Sequence, residues 1–148
     1  MIIRPYQPED IHACMEVFSS NIPKYFSVDE RTAFEDFLRR TPGTYLVICD
    51  DNGAIVGCGG IAISRDDEHA ACLTWGMVSA DKHGHGFGRA LTEARLALLP
   101  TLSGVSVLRI DTSHETEAFY KKFGFVTVRR VEHGYREGLH RCDMERPA

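Results

Sequence analysis

Three glycines at alternate positions, in the run His83-Gly84-His85-Gly86-Phe87-Gly88, limit the fold of this chain more than any other feature. The run follows a strand-like segment and opens a helix-like one. Glycines without a Cβ let backbone N–H groups come close to a ligand. The start of a helix adds unpaired N–H donors and a partial positive charge. A tight turn alone rarely needs three glycines, so the run predicts a phosphate-binding loop between a strand and a helix.

The spacing of these glycines excludes two common phosphate-binding motifs. A P-loop needs G-x-x-x-x-G-K-[ST], and the chain contains no such run. A dinucleotide-binding loop needs G-x-G-x-x-G, but counting from Gly84 and Gly86 the third glycine position holds Arg89. A nucleotide-binding oxidoreductase is therefore a disfavoured interpretation.

The spacing of apolar residues predicts a mixed α/β domain around the loop. Strand-like and helix-like periodicities follow each other in the order β-α-α-β-β-β-α-β-α-β-β. The turn Asp50-Asp51-Asn52-Gly53 favours a hairpin, and therefore antiparallel pairing in the first half. A helix over Phe87–Leu99 lets a strand at Val105–Ile110 pair in parallel with the strand at Ala70–Ser79. We expect a single domain over residues 1–148.

The composition argues against nucleic-acid and membrane partners. The formal net charge is −4, whereas a general nucleic-acid binder normally carries a basic excess. No apolar stretch approaches the roughly 20 residues that span a bilayer, and we expect no signal peptide. The five cysteines form no C-x-x-C pair, so we expect reduced thiols, no metal site and a cytoplasmic location.

Two segments together resemble the GNAT superfamily of acetyl-CoA-dependent N-acetyltransferases. The pyrophosphate loop of that family has the form Gln/Arg-x-x-Gly-x-Gly/Ala, between the fourth strand and the third helix. Residues 83–88 fall on this pattern, with His83 in place of Gln or Arg. Residues 119–125, Phe-Tyr-Lys-Lys-Phe-Gly-Phe, resemble the end of the family's fourth helix, although Ser113 and Thr116 stand where Asn and Ala are common. The start of this helix reads as a capping box, with Thr112 as cap and a glutamate three residues later.

The resemblance implies a fold, an activity and a set of site residues. The fold would be a mixed, mostly antiparallel sheet of about seven strands with four helices, splayed between strands 4 and 5. The protein would transfer an acetyl group from acetyl-CoA to a primary amine by direct attack in a ternary complex, without a metal and with a homodimer as one option. The cofactor would contact Met77, Val78, His83, Gly84, His85, Gly86, Phe87, Gly88 and Arg89. The acceptor would contact Asn21, Tyr25 and Phe26.

Tyr120 is the candidate general acid. Attack of the amine on the thioester expels the CoA thiolate, and a thiol like that of cysteine has a pKa of about 8.5, so protonation of the leaving sulfur helps. The resemblance implies a tyrosine with this role at position 120. Packing on a short amphipathic helix is the alternative interpretation of the same side chain.

The sequence leaves the general base open. The alternate positions of the fourth strand hold Cys72, Thr74 and Gly76, none of which is acidic. Further candidates are Glu68, His69, His133 and Tyr135, and a backbone carbonyl with a water chain is a third option. Because a carboxylate on the fourth strand and Gln or Arg at position 83 are both missing, a non-catalytic acyl-CoA-binding or sensing module remains an alternative function.

Overall fold

A computed structural model describes residues 1–148, which form one seven-stranded sheet with helices on both faces. The strands are β1 (Ile2–Pro5), β2 (Thr44–Cys49), β3 (Ile55–Ile63), β4 (Ala70–Val78), β5 (Val107–Ser113), β6 (Val126–Arg136) and β7 (Leu139–Pro147). The helices are α1 (Ile11–Ser20), α2 (Arg31–Arg40), α3 (Phe87–Leu96) and α4 (Glu117–Lys121). The predicted fold class and element order are confirmed. No helix combines the length and the apolarity that crossing a bilayer requires.

The sheet divides at its one parallel pair of strands. Its order is β1-β2-β3-β4-β5-β7-β6, and every neighbouring pair except β4–β5 is antiparallel. The β4–β5 ladder covers only the pairs from Ala70–Val107 to Cys72–Arg109, although both strands continue beyond it. The two strands therefore diverge and leave an open cleft between their facing edges, which confirms the predicted splay.

The alternation of side chains along the strands shows which face of the sheet each helix covers. On β2, Val47 belongs to the apolar cluster formed with α1 and α2, whereas Leu46 and Ile48 belong to the cluster formed with α3. Successive side chains of a strand point to opposite faces, so α1–α2 and α3 cover opposite sides. The second large cluster places α4 against β5 and β7 through Tyr120.

Strand pairing overrides two local predictions. The capping box at Thr112 does not form, because pairing of Thr112 with Cys142 holds that residue in β5. The strand predicted at Val105–Ile110 accordingly runs over Val107–Ser113. The helix predicted to end at Leu99 ends at Leu96, and a 3-10 turn follows at Leu99–Thr101.

A partly buried ion pair joins β1 to the start of α1. Both guanidinium nitrogens of Arg4 donate to the carboxylate of Asp10, at 2.8 and 3.0 Å, and the N–H of Gln7 donates to the same carboxylate at 2.8 Å. The hydrogen bond from Arg4, aided by the one from Gln7, holds the pKa of Asp10 below its usual value despite its burial.

We expect Asp10→Asn to lower the free energy of unfolding at pH 7 by about 2 kcal/mol, because hydrogen bonds to a buried charge are worth about that much. A lowered folded-state pKa gives stabilisation that is present above the unfolded-state pKa and is lost as the pH falls through the folded value. The difference from wild type should therefore shrink below about pH 4. Urea denaturation at pH 7 and pH 3 measures it. The exposed Asp36→Asn is the control, and equal stability of the two variants at pH 7 would contradict the expectation.

Candidate active site

A cleft of about 650 Å³ occupies the space between the diverging strands. Its walls are the facing edges of β4 and β5, the first turns of α3, one side of α4 and the segment after α1. Most predicted site residues line it: Asn21, Tyr25, Phe26, Met77, Val78, His83, Gly84, Gly86, Gly88, Arg89 and Tyr120. His85 and Phe87 do not line the cleft.

The glycine loop closes one end of the cleft. Gly84 and Gly86 have φ values of +79° and +86°, in the left-handed region that glycine adopts without strain. A Cβ at either position would meet no atom within 4 Å, so the backbone conformation and not a lack of space calls for glycine here. Gly86 precedes the first residue of α3. The unpaired N–H groups of the first helical turn are thus next to the cleft, where an anion can accept from them.

His83 bonds to the end of β4. Its Nε2 lies 2.8 Å from the carbonyl oxygen of Val78, and its ring meets the ring of Tyr25 edge-on at 5.0 Å. The buried side-chain amide of Asn21 donates to the carbonyls of Val17 and Val78, both at 2.9 Å. These contacts tie the end of α1, the end of β4 and the loop together, and both side chains are engaged in holding that junction.

A bulge in β4 forms the middle of the cleft. Cys58 pairs with Met77 and Gly60 with Thr74, so Gly59 alone faces both Trp75 and Gly76. Trp75 has a φ of +39°, which is rare for a residue with a bulky side chain. Its indole packs among aromatic rings of the α1–α2 side, 5.0 Å from Phe34 and 6.2 Å from Phe26.

Behind the bulge, an arginine of α3 lies against the sheet. Arg95 is 1% exposed, and its Nη2 donates to Thr92 Oγ1 and to the Tyr120 hydroxyl, each at 3.3 Å. Its Nε and Nη1 have no hydrogen-bond partner. Sequence reasoning missed Arg95, although a charge four residues after Leu91 on the apolar stripe of α3 was a readable signal.

The side of the cleft facing α2 is aromatic and acidic. Glu30, just before α2, lines it and is half-buried, and one carboxylate oxygen accepts the N–H of Ser27 at 2.9 Å. Burial, and after it repulsion from Asp111, raises the pKa of Glu30 against the lowering effect of Ser27. The hydroxyl of Tyr135 donates to Asp111 at 2.9 Å across the cleft edge. Sequence reasoning named Tyr135 as a candidate base but missed Glu30, whose position depends on how α2 packs.

The other candidate bases lie outside the cleft. Glu68 and His69 precede β4 at the end where it pairs with β5, and His69 bonds to Gly104. His133 belongs to a group with Glu132 and His140 whose possible ligand atoms lie within 4.8 Å of one another. The Nδ1 atoms of both histidines accept backbone N–H groups at 2.8 and 2.9 Å, so this group is explained as hydrogen bonding that shapes the β6–β7 hairpin.

Comparison with known proteins agrees with this geometry. The family model described as "Acetyltransferase (GNAT) domain" matches residues 3–147. A search of curated protein sequences returned no match.

Among solved structures, a GNAT-family protein from Desulfovibrio desulfuricans has a TM-score of 0.80 at 20% identity, covering 99% of this chain and 98% of its own. Ard1 from Thermoplasma volcanium has a TM-score of 0.79 at 23% identity, covering 99% and 97%. The yncA protein from Salmonella typhimurium, solved with its cofactor acetyl-CoA, has a TM-score of 0.75 at 17% identity, covering 99% and 93%. At these identities the likeness shows a shared fold.

We expect Gly76→Ala to destabilise the ligand-free protein by about 1–3 kcal/mol, the usual range for overpacking. The added Cβ would lie 2.7 and 2.8 Å from the two terminal nitrogens of Arg95, which is 1% exposed. Thermal unfolding measures the effect. Gly88→Ala is the matched control, since its Cβ would make an ordinary 3.5 Å contact with Phe119. Equal melting temperatures for the two variants would show that Arg95 moves freely and would overturn this reading of the packing.

Proposed function

Because the chain belongs to the GNAT family of acetyltransferases, we propose that it is an N-acetyltransferase that moves the acetyl group of acetyl-CoA directly to a primary amine in a ternary complex. The observation that carries the proposal is one continuous cleft with the glycine loop at one end, Tyr120 in its wall and carboxylates on its other side. The acetyl-CoA bound by the yncA protein of the same fold supports the choice of donor.

The donor would lie along the unpaired edge of β4. Its pyrophosphate accepts N–H groups from residues 84–89, with Arg89 and Lys82 adding positive charge at the cleft mouth. Beyond Cys72 the β4 edge has no strand partner in β5, so backbone groups on this edge near Met77 would bond the amides of pantetheine. The carbonyl of Val78 is already engaged by Asn21 and His83. A backbone N–H on this edge polarises the thioester carbonyl.

The acceptor would enter from the α2 side, between Tyr25, Phe26 and Glu30. Asn21 lines this wall and supports it through its bonds to the backbone. A primary amine arrives as an ammonium ion, and the carboxylates of Glu30 and Asp111 attract it. Glu30 is the candidate base: its raised pKa gives the carboxylate a greater affinity for the proton than a free glutamate has.

Starting from the ammonium ion, the reaction needs two protons removed from nitrogen and one proton supplied to sulfur. The ammonium ion loses the first proton to Glu30, directly or through water, and its nitrogen then attacks the thioester carbon. The same nitrogen loses its second proton to water as the tetrahedral intermediate collapses to the amide. The C–S bond breaks with its electron pair on sulfur, and the hydroxyl of Tyr120 protonates the leaving thiolate. Tyr120 is 5% exposed and lines the cleft.

We expect Tyr120→Phe to retain acetyl-CoA affinity and to lose turnover by about 100-fold, the usual contribution of a general acid. Calorimetric binding of acetyl-CoA and thiol release with a panel of amines measure the two quantities. Tyr6→Phe, outside the cleft, is the control. Unchanged turnover in Tyr120→Phe would remove the general-acid assignment.

We expect Glu30→Gln to reduce kcat/KM for the amine by about 10–100-fold, because the variant keeps the shape and the bond to Ser27 but loses the charge and the base. In wild type, activity should rise with pH as Glu30 ionises. Since burial raises the pKa of Glu30, this rise lies above the range of a free glutamate, and it should be absent in the variant. A pH profile of kcat/KM tests this against Glu9→Gln, an exposed control. Matching profiles in wild type and Glu30→Gln would exclude Glu30 as base.

A non-catalytic acyl-CoA-binding or sensing module is the second candidate. It is favoured by His83, whose ring bonds to Val78 where the family pattern has Gln or Arg, and by the absence of a carboxylate on β4. Acetyl-CoA binding without acetylation of any amine in a broad panel distinguishes it from the enzyme.

A further inference from the structure

Arg95 is a buried cation that no carboxylate of the protein neutralises. Its only hydrogen bonds go to the neutral oxygens of Thr92 and Tyr120, and its Nε and Nη1 have no partner at all. Other arginines near the sheet behave differently: Arg4 pairs with Asp10, and Arg109 with Glu145. Since a buried unpaired charge is strongly unfavourable, its presence calls for an anion that the chain does not contain.

Two glycines of the sheet leave space for the Arg95 side chain. Arg95 replaces an apolar residue on the sheet-facing stripe of α3. Opposite it lie Gly59 and Gly76, where a Cβ would approach the guanidinium to 3.2 Å and 2.7 Å. The β4 bulge brings both glycines to the same place, because Gly59 faces Gly76 across the bulge.

The cation also lies at the reacting end of the cleft. Four residues around the guanidinium line the cleft: Gly76, Thr92, Arg95 and Tyr120. The guanidinium donates a hydrogen bond to the hydroxyl oxygen of Tyr120. That oxygen therefore accepts a hydrogen bond from Arg95, and its own proton is left to donate elsewhere. The structure shows no protein acceptor for that proton.

We propose that Tyr120 and Arg95 together form an anion site for the sulfur of CoA, in which Tyr120 contacts the sulfur and Arg95 is a positioning residue that supplies the positive charge behind it. The inference rests on the proposed function, because it requires CoA in the cleft. It adds a role for Arg95 that the general-acid assignment of Tyr120 does not contain.

The role follows the charge through the transfer step. As the C–S bond breaks, the electron pair moves to sulfur, and the Tyr120 proton moves onto it. The phenolate left behind then lies 3.3 Å from a guanidinium nitrogen until solvent returns a proton. The positive charge of Arg95 thus faces a negative charge on sulfur first and on oxygen second. A neutral side chain at position 95 offers neither interaction.

Few ionisable groups face the guanidinium. The phenols of Tyr120 on α4 and Tyr45 on β2 are within its electrostatic range, and the guanidinium lies against Gly59 of β3 and Gly76 of β4. The cleft carboxylates Glu30 and Asp111 form no ion pair with Arg95, and neither does Glu115. A ligand thiolate is therefore the anion expected to respond to this charge.

The first experiment compares CoA with desulfo-CoA, which lacks the sulfur, by calorimetry on the wild-type protein at pH 7 and pH 9. Free thiols ionise near pH 8.5. If the site favours the thiolate, CoA should bind about tenfold tighter at pH 9 than at pH 7 relative to desulfo-CoA, since one pKa unit corresponds to a factor of ten. An equal pH response of the two ligands would overturn the inference, whereas failure of both ligands to bind would overturn the proposed function itself.

The second experiment uses Arg95→Met, Arg95→Lys and the exposed Arg129→Met as control. Arg95→Met should remove the CoA-specific pH response and lower kcat at least tenfold with an unchanged KM for acetyl-CoA. Arg95→Lys should keep part of the pH response and part of the kcat that Arg95→Met loses. Without ligand, Arg95→Met should melt at the same temperature as wild type or about 3 °C higher, because an apolar residue of similar volume relieves the buried charge.

A purely structural Arg95 predicts the opposite pattern. Arg95→Met would then melt lower, and wild-type CoA would show no pH response beyond that of desulfo-CoA. If Arg95→Met fails to fold, the comparison of the two ligands on wild-type protein still decides the question, because it needs no variant.

Discussion

The bulge in β4 is the constraint on which the other features of the site depend. Two residues, Trp75 and Gly76, stand opposite the single Gly59, and the extra residue bends and twists the strand. The indole of Trp75 joins the aromatic cluster of α1 and α2, which supports its unfavourable backbone conformation. Gly76 in turn faces α3 and gives Arg95 its space. The bulge thus places Trp75 on the α1–α2 side of the sheet and Gly76 on the α3 side.

The cleft carries opposite charges on its two sides. The glycine loop, the start of α3 and Arg95 make the α3 side positive, whereas Glu30 and Asp111 make the α2 side negative. A CoA thioester brings negative charge in its phosphates and develops more on its sulfur, while an amine brings positive charge. The charge distribution is therefore consistent with the proposed reaction, in which the two substrates would lie on opposite sides of one cleft with the reacting carbon between them.

Sequence reasoning succeeded where the signal is local. The glycine loop is visible as three glycines at alternate positions, two of which are left-handed in the structure, and the element order follows from periodicities within single segments. The splay of β4 from β5 came from the family resemblance. Glu30 and Arg95 were missed because the cleft that each lines is assembled from segments distant in sequence. The pKa of Glu30 is raised first by burial and less by Asp111, whereas Arg95 lies against Gly59, Gly76 and Tyr120. The capping box at Thr112 failed for a related reason, since pairing with β7 outweighs a local hydrogen bond.

The missed residues share one physical property, which is that each carries a charge that burial opposes. Glu30 is a carboxylate whose burial opposes its charge, and Arg95 is a cation without an anion. Glu30 also caps the turn that leads into α2 by accepting the N–H of Ser27. For Arg95, folding alone gives no reason to keep the charge, because an apolar side chain of similar volume would pack at least as well. In the proposed reaction each charge would gain a ligand of opposite sign: an ammonium ion beside Glu30, and a developing thiolate beside Tyr120 and Arg95. The buried charges would thus lower the stability of the free protein and, in the proposed reaction, stabilise the charged states of the substrates. This is what catalysis by a preorganised site requires.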